Sequence, residues 1–306
     1  MTVHLPNFLI TGAAKAGTSS LYHYLKQHPD IYMSPIKEPH HWSYKHTQPV
    51  ANGPGDIIGG AITDFAEYTQ LFAGVTTEKA IGEASPTYIL VPGTAARIHA
   101  HNPDMKLITI LRNPVDRAFS AFMHLVRDGR EKQTDFRKSL ALQAERATKQ
   151  WGPLWQYEQG SLYANSILEY QALFPADQLH FIVYDDFKLD PMAVLQNCFT
   201  FLSINPTFEP DISFRINVSG NKKSPFLDSV YTAIFDHPNP IRYISRQLIP
   251  EKIRYKFTSN LRNQNLQSSK VDSELRHILT ERFREDILQT QDLIQRDLSH
   301  WLNSNG

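Results

Sequence analysis

The sequence predicts a three-layer α/β fold, in which helices flank a central and mostly parallel sheet. Short apolar runs with the length of buried strands alternate with amphipathic runs at helical spacing through much of the chain. The run from Leu107 to Leu111 is apolar except for one threonine, which is typical of a strand in the middle of a parallel sheet. The stretch from Phe8 to Leu21 combines a strand, a tight loop and the start of a helix, so the fold is predicted to be P-loop-like.

Length and composition restrict the class of protein. The chain has 306 residues, of which 41% are hydrophobic and 20% charged, so it can bury one sizeable core and is too short for more than one or two domains. Its 31 basic and 31 acidic side chains cancel, which predicts no nucleic-acid partner and requires any anion site to be local. The single Cys198 excludes an intramolecular disulfide and fits a buried thiol in a helix.

The N-terminus and the apolar runs bear on the location of the protein. Residues 1–6 lack the basic and apolar segments of a secretory signal. No uninterrupted apolar run approaches the roughly 20 residues that a membrane span needs. The sequence therefore predicts a cytoplasmic protein without a membrane span.

The loop after the first apolar run carries the strongest functional signal. Small residues between Gly12 and Gly17 let backbone N–H groups gather around one point, and the following helix adds the positive end of its dipole. Lys15 adds an ammonium group, so a bound anion is predicted, most simply a phosphate. The pattern G-x-x-x-x-G-K-S/T is met except that Thr18 replaces its lysine. Similar turns occur in α/β proteins that bind nothing there, so the loop alone leaves both interpretations open.

The remaining elements follow from hydrophobic spacing and from residues that start or break helices. Asn113 followed by Pro114 has the signals of a helix start. Glycines between residues 53 and 60 predict a surface loop. Further helices are predicted over residues 18–28, 64–72, 95–100, 134–150, 162–174, 191–203 and within 271–302, and strands over 8–11, 31–33, 79–82, 107–111 and 179–184.

Glu38 is the candidate general base. Prolines on both sides hold its segment extended directly after the strand at 31–33, and α/β proteins place catalytic groups beyond the carboxyl ends of their strands. A solvated surface carboxylate is the alternative. His40 and His41 are adjacent rather than four residues apart, and no cysteine joins them, so no metal site is predicted.

A second anion-binding group is predicted at the end of the strand at 107–111. Arg112 closes this strand, and Ser120 lies almost two helical turns farther along, on the helix face that points back to the strand end at roughly 10 Å. An extended Arg112 side chain and the Ser120 hydroxyl can therefore hold one anion between them. A capped helix with a solvated arginine remains the alternative.

Several later stretches allow two interpretations each. The apolar strand that ends at Tyr184 is followed by Asp185, an arrangement with which NTPases hold magnesium, so a magnesium-dependent P-loop kinase or NTPase remains open. The two lysines at 222–223 are either solvated or bind a phosphate. The aromatic residues of 151–157 either pack or line an acceptor groove, and the basic residues of 242–262 either are solvated or attract an anionic acceptor.

Taken in order, these motifs resemble those of the sulfotransferases that use 3′-phosphoadenosine 5′-phosphosulfate (PAPS), above all the bacterial enzymes and more distantly the heparan sulfate sulfotransferases. The matching segments are Lys15–Ser20, Lys37–Trp42, Gly82–Tyr88, Arg112–Pro114 with Ser120, and Tyr184–Pro191. The ordered set is more specific than any one motif, and it covers most of the chain. The resemblance implies a single sulfotransferase domain over residues 1–306, with a helical C-terminal portion at about 226–306.

The resemblance also implies a reaction and the residues that carry it. PAPS would be the sulfuryl donor, no metal would be required, and 3′,5′-ADP would remain after transfer to a hydroxyl, or less readily an amine, of the acceptor. Glu38 would take the acceptor's proton as it attacks sulfur in line, and Lys15 would neutralise charge on the departing bridging oxygen. Donor binding would involve Lys15, Ala16, Gly17, Thr18, Ser19, Ser20, Arg112, Ser120, Tyr184, Lys222 and Lys223.

The acceptor is less determined than the donor. A carbohydrate, a glycolipid or a small hydroxylated metabolite fits the sequence equally. Heparan sulfate O-sulfotransferases carry a lysine where this chain has Ala84, which argues against a heparan-type acceptor. Besides the kinase, a nucleotide-responsive binding protein without catalytic activity is the other alternative.

Overall fold

Five parallel strands form the central sheet of the structure, a computed structural model that describes residues 4–56, 60–213 and 270–303 and the backbone of 221–222 and 266–267. The strands are β1 (Phe8–Gly12), β2 (Ile31–Met33), β3 (Ala80–Ala84), β4 (Lys106–Leu111) and β5 (Leu179–Val183). They lie in the order β2-β3-β1-β4-β5, and every neighbouring pair is parallel. The predicted parallel sheet is confirmed.

Helices cover both faces of this sheet. Those that the structure describes are α1 (Thr18–Leu25), α2 (His41–Tyr44), α3 (Phe65–Gln70), α4 (Thr94–His101), α5 (Pro114–Arg127), α6 (Phe136–Ala141), α7 (Gln143–Thr148), α8 (Ala164–Gln171), α9 (Tyr184–Leu189), α10 (Pro191–Phe201) and α11 (Ser273–Ile294). Short 3₁₀ turns lie at Pro153–Trp155, Gln159–Ser161, Ala176–Gln178 and Ser299–Leu302.

The side chains of β1 alternate between the two faces of the sheet. Phe8 and Ile10 belong to a core cluster that includes side chains of α5 and α11, whereas Leu9 belongs to a second cluster with Trp42 and Tyr68. All of these side chains are fully buried. Because each face of the sheet buries its own apolar core, the chain forms the three layers that the sequence predicts.

The strand order opens a crevice between β1 and β4. From β1 the chain passes through α1 to β2 on one side of the sheet, whereas from β4 it passes through α5 to β5 on the other side. Where connections leave neighbouring strands in opposite directions, α/β proteins bind ligands at the carboxyl ends of those strands. The loop at 13–17 and the turn at 112–113 flank this crevice.

The start of α5 follows the predicted capping pattern. The side-chain oxygen of Asn113 accepts hydrogen bonds from the N–H groups of Val115 at 3.0 Å and Asp116 at 3.3 Å, and Pro114 occupies the first turn. Asp116 also pairs with Arg276 of α11 at 2.5 Å, which ties the C-terminal helix to the start of α5. The predicted helix start at Asn113 is confirmed.

The prediction of one continuous helix over 134–150 is wrong. The chain forms α6 and α7 and turns between them at Leu142, whose N–H donates to the Ser139 carbonyl at 3.2 Å in a 3₁₀-type contact. The break accompanies a buried ion pair, in which Arg146 Nη2 lies 2.7 Å from Glu131 Oε2. Hydrophobic spacing does not reveal this break, because the partner carboxylate lies outside the helical segment.

Several predicted element ends differ from the structure by a few residues, and three of them bear on the site. The last turn of α1 tightens, since the Gln27 and His28 N–H groups donate to carbonyls three residues back, so the α-helix ends at Leu25. Glu83 lies within β3 rather than after it, because it still pairs with β1. Tyr184 is the first residue of α9 rather than the last residue of β5.

The C-terminal portion is described in part. The helix predicted within 271–302 is confirmed as α11, which is followed by the last 3₁₀ turn. Residues 223–265, which include Lys223 and the basic stretch 242–262, lie outside the described residues. Within the portion predicted to be helical, the structure also describes a two-residue strand, β7 (Leu266–Gln267), which pairs antiparallel with β6 (Asn221–Lys222).

Two expectations from composition concern the described helices. Cys198 is buried in α10, as predicted, and burial raises the pKa of its thiol to about 12, which makes it an unreactive core residue. Within the described ranges, none of the helices combines the length and the apolar character that crossing a bilayer requires.

Candidate active site

A cavity of about 640 Å³ occupies the crevice at the carboxyl ends of β1 and β4. Residues that lie far apart in the sequence line it together. The predicted site residues among them are Lys15, Gly17, Thr18, Ser19, Ser20, Glu38, Arg112, Ser120 and Tyr184. The structure therefore brings the proposed base and both predicted anion-binding groups into one cavity.

The remaining predicted donor-binding residues have different positions. Ala16 is fully buried behind the loop, and its N–H donates to the Ala13 carbonyl at 3.1 Å. It supports the loop and does not line the cavity. The side chain of Lys222 and the whole of Lys223 lie outside the described residues, so their part in donor binding stays a prediction.

Gly17 shapes the anion-binding end of the cavity. Its φ of 101° lies in the left-handed region, and a Cβ atom built there would come within 3.1 Å of the Tyr184 ring. Gly17 is the N-cap of α1, and no side-chain hydrogen bond from a described residue caps this helix end. The first-turn residues Thr18–Ser20 line the cavity, so they bring backbone N–H groups and hydroxyls to any phosphate or sulfate bound there.

Arg112 is held against this loop. Its Nη1 donates to the backbone carbonyl of Lys15 at 2.9 Å, and its guanidinium lies 4.9 Å from the centroid of the Tyr184 ring. The backbone carbonyl of Arg112 in turn accepts a hydrogen bond from the Tyr163 hydroxyl at 2.9 Å. Ser120 of α5 lines the same cavity, so the predicted pair of arginine and serine lies directly beside the loop.

Lys15 belongs to a cluster of positive charges. Burial in the first place, and then the charge of Arg127, lowers the pKa of Lys15 to about 7. Arg112 acts in the same direction, whereas Asp128 and Glu38 act in the opposite one. An anion bound beside the Lys15 amine favours its charged form, so the cluster is suited to an anionic ligand.

His124 lines the cavity and is a residue that the sequence motifs do not single out. Its Nδ1 accepts a hydrogen bond from Arg127 Nη2 at 2.6 Å, which assigns the proton to Nε2, 3.5 Å from Asp128 Oδ2. Burial, followed by the charge of Lys15, lowers the pKa of His124 to about 3, so the imidazole is neutral. Its position one turn after Ser120 on the predicted helix is the sequence signal that could have identified it.

Glu38 reaches the cavity from the loop after β2. Its φ is 67°, and its N–H donates to the carbonyl of Ala84 at the end of β3 at 3.0 Å. The carboxylate pairs with Lys37 Nζ and lies 3.8 Å from His40 Nε2, while 35% of the side chain stays exposed. The backbone thus fixes Glu38 at the carboxyl-terminal end of the strands, with its carboxylate open to a ligand.

A buried carboxylate supports the segment that carries Glu38. Glu83 Oε2 accepts a hydrogen bond from Ser85 Oγ at 2.8 Å, and Ser85 Oγ accepts one from the N–H of His40 at 3.0 Å. Two tyrosine hydroxyls donate to the other carboxylate oxygen. Burial raises the pKa of Glu83 to about 7 against the effect of these hydrogen bonds. The network links β3 to the Glu38 segment, a role that the sequence motif does not reveal.

Apolar and aromatic side chains line a further part of the cavity, with Lys188 among them. Phe187 and Leu189 of α9 line it together with Ile212 and the ring of Tyr24. Phe187 and Leu189 lie within the Tyr184–Pro191 motif, but the sequence predicts no site role for them, nor for Tyr24 and Ile212, because apolar side chains carry no distinctive chemical signal. The cavity thus combines anion-binding groups with apolar and aromatic side chains, a combination that suits a nucleotide.

The acidic residues after β5 point away from this cavity. Asp185 Oδ2 accepts a hydrogen bond from Trp301 Nε1 at 2.8 Å, and Asp186 Oδ2 pairs with Arg296 at 2.6 Å. Neither residue lines the cavity. Both carboxylates bind side chains of the C-terminal segment. This structural role explains why acidic residues follow β5, an arrangement that otherwise resembles the magnesium ligands of an NTPase.

Comparisons with known proteins agree with this geometry. A family model described as "Sulfotransferase family" matches residues 6–210. The crystal structure of a sulfotransferase from Alicyclobacillus acidocaldarius matches with a TM-score of 0.75 at 37% sequence identity, over 98% of this chain and 100% of that chain.

Two curated relatives match the sequence at lower identity. Carbohydrate sulfotransferase 15 from Mus musculus is 28% identical over 251 residues, which cover 67% of this chain and 45% of that protein. Heparan sulfate glucosamine 3-O-sulfotransferase 6 from Homo sapiens is 26% identical over 199 residues, which cover 65% of this chain and 52% of that protein. The chain thus spans about half the length of these curated relatives.

The resemblance that the motifs indicate is therefore confirmed, both for a bacterial sulfotransferase and for a heparan sulfate sulfotransferase. The matched range contains the loop at Lys15, the Glu38 segment and the Arg112–Ser120 pair. The chain belongs to the sulfotransferase family.

Proposed function

We propose that the protein transfers the sulfuryl group of PAPS to a hydroxyl, and less readily to an amine, of an acceptor, and releases 3′,5′-ADP. The observation that carries the proposal is that the Lys15 loop and the Arg112–Ser120 pair line one cavity. A donor with two anionic ends requires both groups within reach of a single ligand. The cavity volume of about 640 Å³ suits a ligand of nucleotide size.

The residues of the cavity fit such a donor. The first turn of α1, with Lys15, would hold the 5′-phosphosulfate, and Arg112 with Ser120 would hold the 3′-phosphate. Lys222 and Lys223 remain proposed ligands of the same 3′-phosphate. When bound, PAPS supplies an activated sulfuryl group on a nucleotide leaving group. The apolar side chains that line the cavity would cover its adenine ring.

Glu38 is the proposed general base. Its carboxylate lies on the cavity wall and is partly exposed, so an acceptor hydroxyl can approach it from solvent. Glu38 would take the proton of that hydroxyl as the oxygen attacks sulfur. The backbone hydrogen bond to Ala84 and the buried Glu83 network keep the carboxylate in place without any contribution from the ligand.

Lys15 is the proposed stabiliser of the leaving group. Its pKa of about 7 leaves the amine only partly protonated before an anion binds. The negative charge of the donor favours the ammonium form, which then neutralises the charge that builds on the departing oxygen. The low pKa therefore restricts the full positive charge of Lys15 to the state in which the donor is present.

A P-loop kinase is a weaker alternative. It would use Asp185 for magnesium, yet this carboxylate binds Trp301 outside the cavity. It would also use a lysine at the position of Thr18. We therefore propose sulfuryl transfer that does not require a metal ion.

We propose a hydroxylated carbohydrate as the acceptor. Two relatives carry names that refer to a carbohydrate and to the glucosamine of heparan sulfate. Ala84 is fully buried at the end of β3, where heparan sulfate O-sulfotransferases carry a lysine, so a glycan other than heparan is favoured. We further propose that residues 1–306 form one domain and that the protein works in the cytoplasm.

Product identification is the direct test of this function. The protein is incubated with radiolabelled PAPS and a crude cell extract, and labelled products are identified by mass spectrometry. A sulfated product that forms together with an equal amount of 3′,5′-ADP supports the proposal. Transfer of phosphate from ATP, or donor hydrolysis without any sulfated product, contradicts it.

A further inference from the structure

A second cleft, of about 330 Å³, adjoins the candidate active site. Two aromatic residues, Tyr44 and Trp151, line it together with amide side chains that include Gln156 and Asn165. The reaction proposed above uses none of these residues. Their position and their chemistry both bear on what the protein sulfates.

The same chain segments line both cavities. In the 3₁₀ turn at 153–155, Leu154 lines the candidate active site and Pro153 lines the second cleft. In the segment after β3, Pro86 lines the active site and Leu90 lines the second cleft. Pro153 and Leu154 are consecutive residues, whose Cα atoms are about 3.8 Å apart. The two cavities therefore come close to each other at the 3₁₀ turn at 153–155.

A third shared segment carries the proposed base. Glu38 lines the candidate active site, and Tyr44, at the end of the short helix that follows, lines the second cleft. The anion-binding residues Lys15, Arg112 and Ser120 line the first cavity and not the second. Three chain segments, one of which carries Glu38, thus connect the wall of the second cleft with the wall of the candidate active site.

The chemistry of the cleft is that of a surface for uncharged, hydroxyl-rich ligands. The described residues that line it include no Lys, Arg, His, Asp or Glu. Trp151 is half-buried: its ring packs at 70° against Trp155 with 4.6 Å between the centroids, and the Arg146 guanidinium lies 5.1 Å from its centroid, so protein contacts orient the indole. The side chains of Gln156, Gln159 and Asn165 form no hydrogen bond within the described part of the chain.

We propose that this cleft binds an uncharged sugar unit of the acceptor, next to the unit whose hydroxyl reaches Glu38. Aromatic rings pack against the C–H face of a sugar ring, and amide groups can both donate to and accept from its hydroxyls. An acidic glycan would instead require lysine or arginine at its carboxylates or sulfates. The inference rests on the proposed function, because the sugar is bound as part of the sulfuryl acceptor.

Calorimetry on the protein saturated with 3′,5′-ADP tests this inference with defined probes. The probes are three neutral tetrasaccharides, cellotetraose, maltotetraose and N-acetylchitotetraose, and one acidic heparin tetrasaccharide. We expect at least one neutral probe to bind more tightly than the heparin probe. On isotope-labelled protein it should also shift the indole N–H resonance of Trp151, assigned with Trp151→Phe.

Variants then locate the binding. The double variant Gln156→Ala/Asn165→Ala removes two exposed or half-exposed amides that support no other structure, and it should weaken binding of the neutral probe about tenfold or more. Gln196→Ala, an exposed amide of α10 outside both cavities, is the matched control and should bind the probe like the wild type.

Three results overturn the inference: tighter binding of the heparin probe, binding of none of the four probes, or equal affinities of the double variant and the wild type. The affinity for 3′,5′-ADP, measured on the same samples, separates this outcome from a failure of the proposed function. Weak nucleotide binding by the wild type would contradict the donor site itself. Tight nucleotide binding with any of the three results would overturn only the sugar cleft.

Discussion

Arg112 Nη1 donates a hydrogen bond to the backbone carbonyl of Lys15 at 2.9 Å. This contact joins the turn after β4 to the loop after β1 across the crevice of the sheet. The ring of Tyr184 supports both sides, because it lies against the Arg112 guanidinium and against Gly17. The two proposed anion-binding groups are therefore held in a fixed relation to each other by the protein itself.

Lys15→Ala tests the proposed stabiliser of the leaving group. The variant removes the amine of the loop directly before α1, and we expect the rate of sulfuryl transfer to fall by a factor of about 100 to 1000. Initial rates with labelled PAPS measure this change. Lys26→Ala, which alters an exposed lysine at the other end of α1, is the control and should keep the wild-type rate. A Lys15→Ala rate above a tenth of the wild type would count against the assignment.

Glu38→Gln separates an enzyme from a nucleotide-responsive binding protein. Glutamine keeps the backbone hydrogen bond to Ala84 but cannot act as a base, so the transfer rate should fall about 100-fold or more. The affinity for 3′,5′-ADP should stay within about twofold of the wild type. Glu67→Gln on the exposed face of α3 is the control. Unchanged transfer in the Glu38 variant would mean that another group removes the proton.

Glu83→Gln should change how stability depends on pH. The pKa of folded Glu83 is about 7 against an ordinary value of 4.5, so the native state binds more protons than the unfolded state between these pH values. The contribution of this carboxyl to the free energy of unfolding therefore falls as pH rises from about 4.5 to 7. Glutamine does not titrate, so the variant should gain stability relative to the wild type over that range.

Urea unfolding at about pH 5 and pH 7 measures this difference between the Glu83 variant and the wild type. The control is Glu209→Gln, an exposed carboxyl, which should follow the wild type at both pH values. A constant difference between Glu83→Gln and the wild type would show that Glu83 titrates normally in the folded protein.

The affinity for 3′,5′-ADP should fall as pH rises above about 7. The pKa of Lys15 is about 7 before the anion binds, so at about pH 8 the amine must take up a proton when the nucleotide enters. Calorimetry at about pH 8 in two buffers of different ionisation enthalpy detects this uptake. Lys15→Ala should abolish it, and a variant that still takes up the proton would assign the titration to another group.

The sequence is sufficient to predict the strands of the sheet and many of the residues that line the candidate site, because local signals mark them. Apolar runs define the strands, whereas the strand order, which no local signal gives, places the Lys15 loop beside Arg112. Ser120 could be placed from its helical spacing, whereas His124, one turn later on the same helix, belongs to no motif and was found only in the structure. Glu38 could be placed because it closely follows the strand at 31–33, but the prediction of an extended segment is wrong at Glu38, whose φ is 67° and whose N–H donates to Ala84.

What the sequence does not predict depends on contacts between distant segments. The break at Leu142 accompanies the Arg146–Glu131 pair, and the support of the Glu38 segment by Glu83 requires the fold to bring Ser85 beneath it. No periodic pattern encodes such contacts. The same holds for the second cleft, since its lining comes from four separate parts of the chain.

The most direct test of the donor site compares two nucleotides in one variant. Calorimetry measures the affinities of Arg112→Ala and the wild type for 3′,5′-ADP and for 5′-AMP, which lacks the 3′-phosphate. We predict that the variant loses about 1.5–3 kcal/mol of binding free energy for 3′,5′-ADP and almost none for 5′-AMP. Equal losses for both nucleotides, or no loss for 3′,5′-ADP, would contradict the proposal that Arg112 and the Lys15 loop bind opposite ends of one sulfuryl donor.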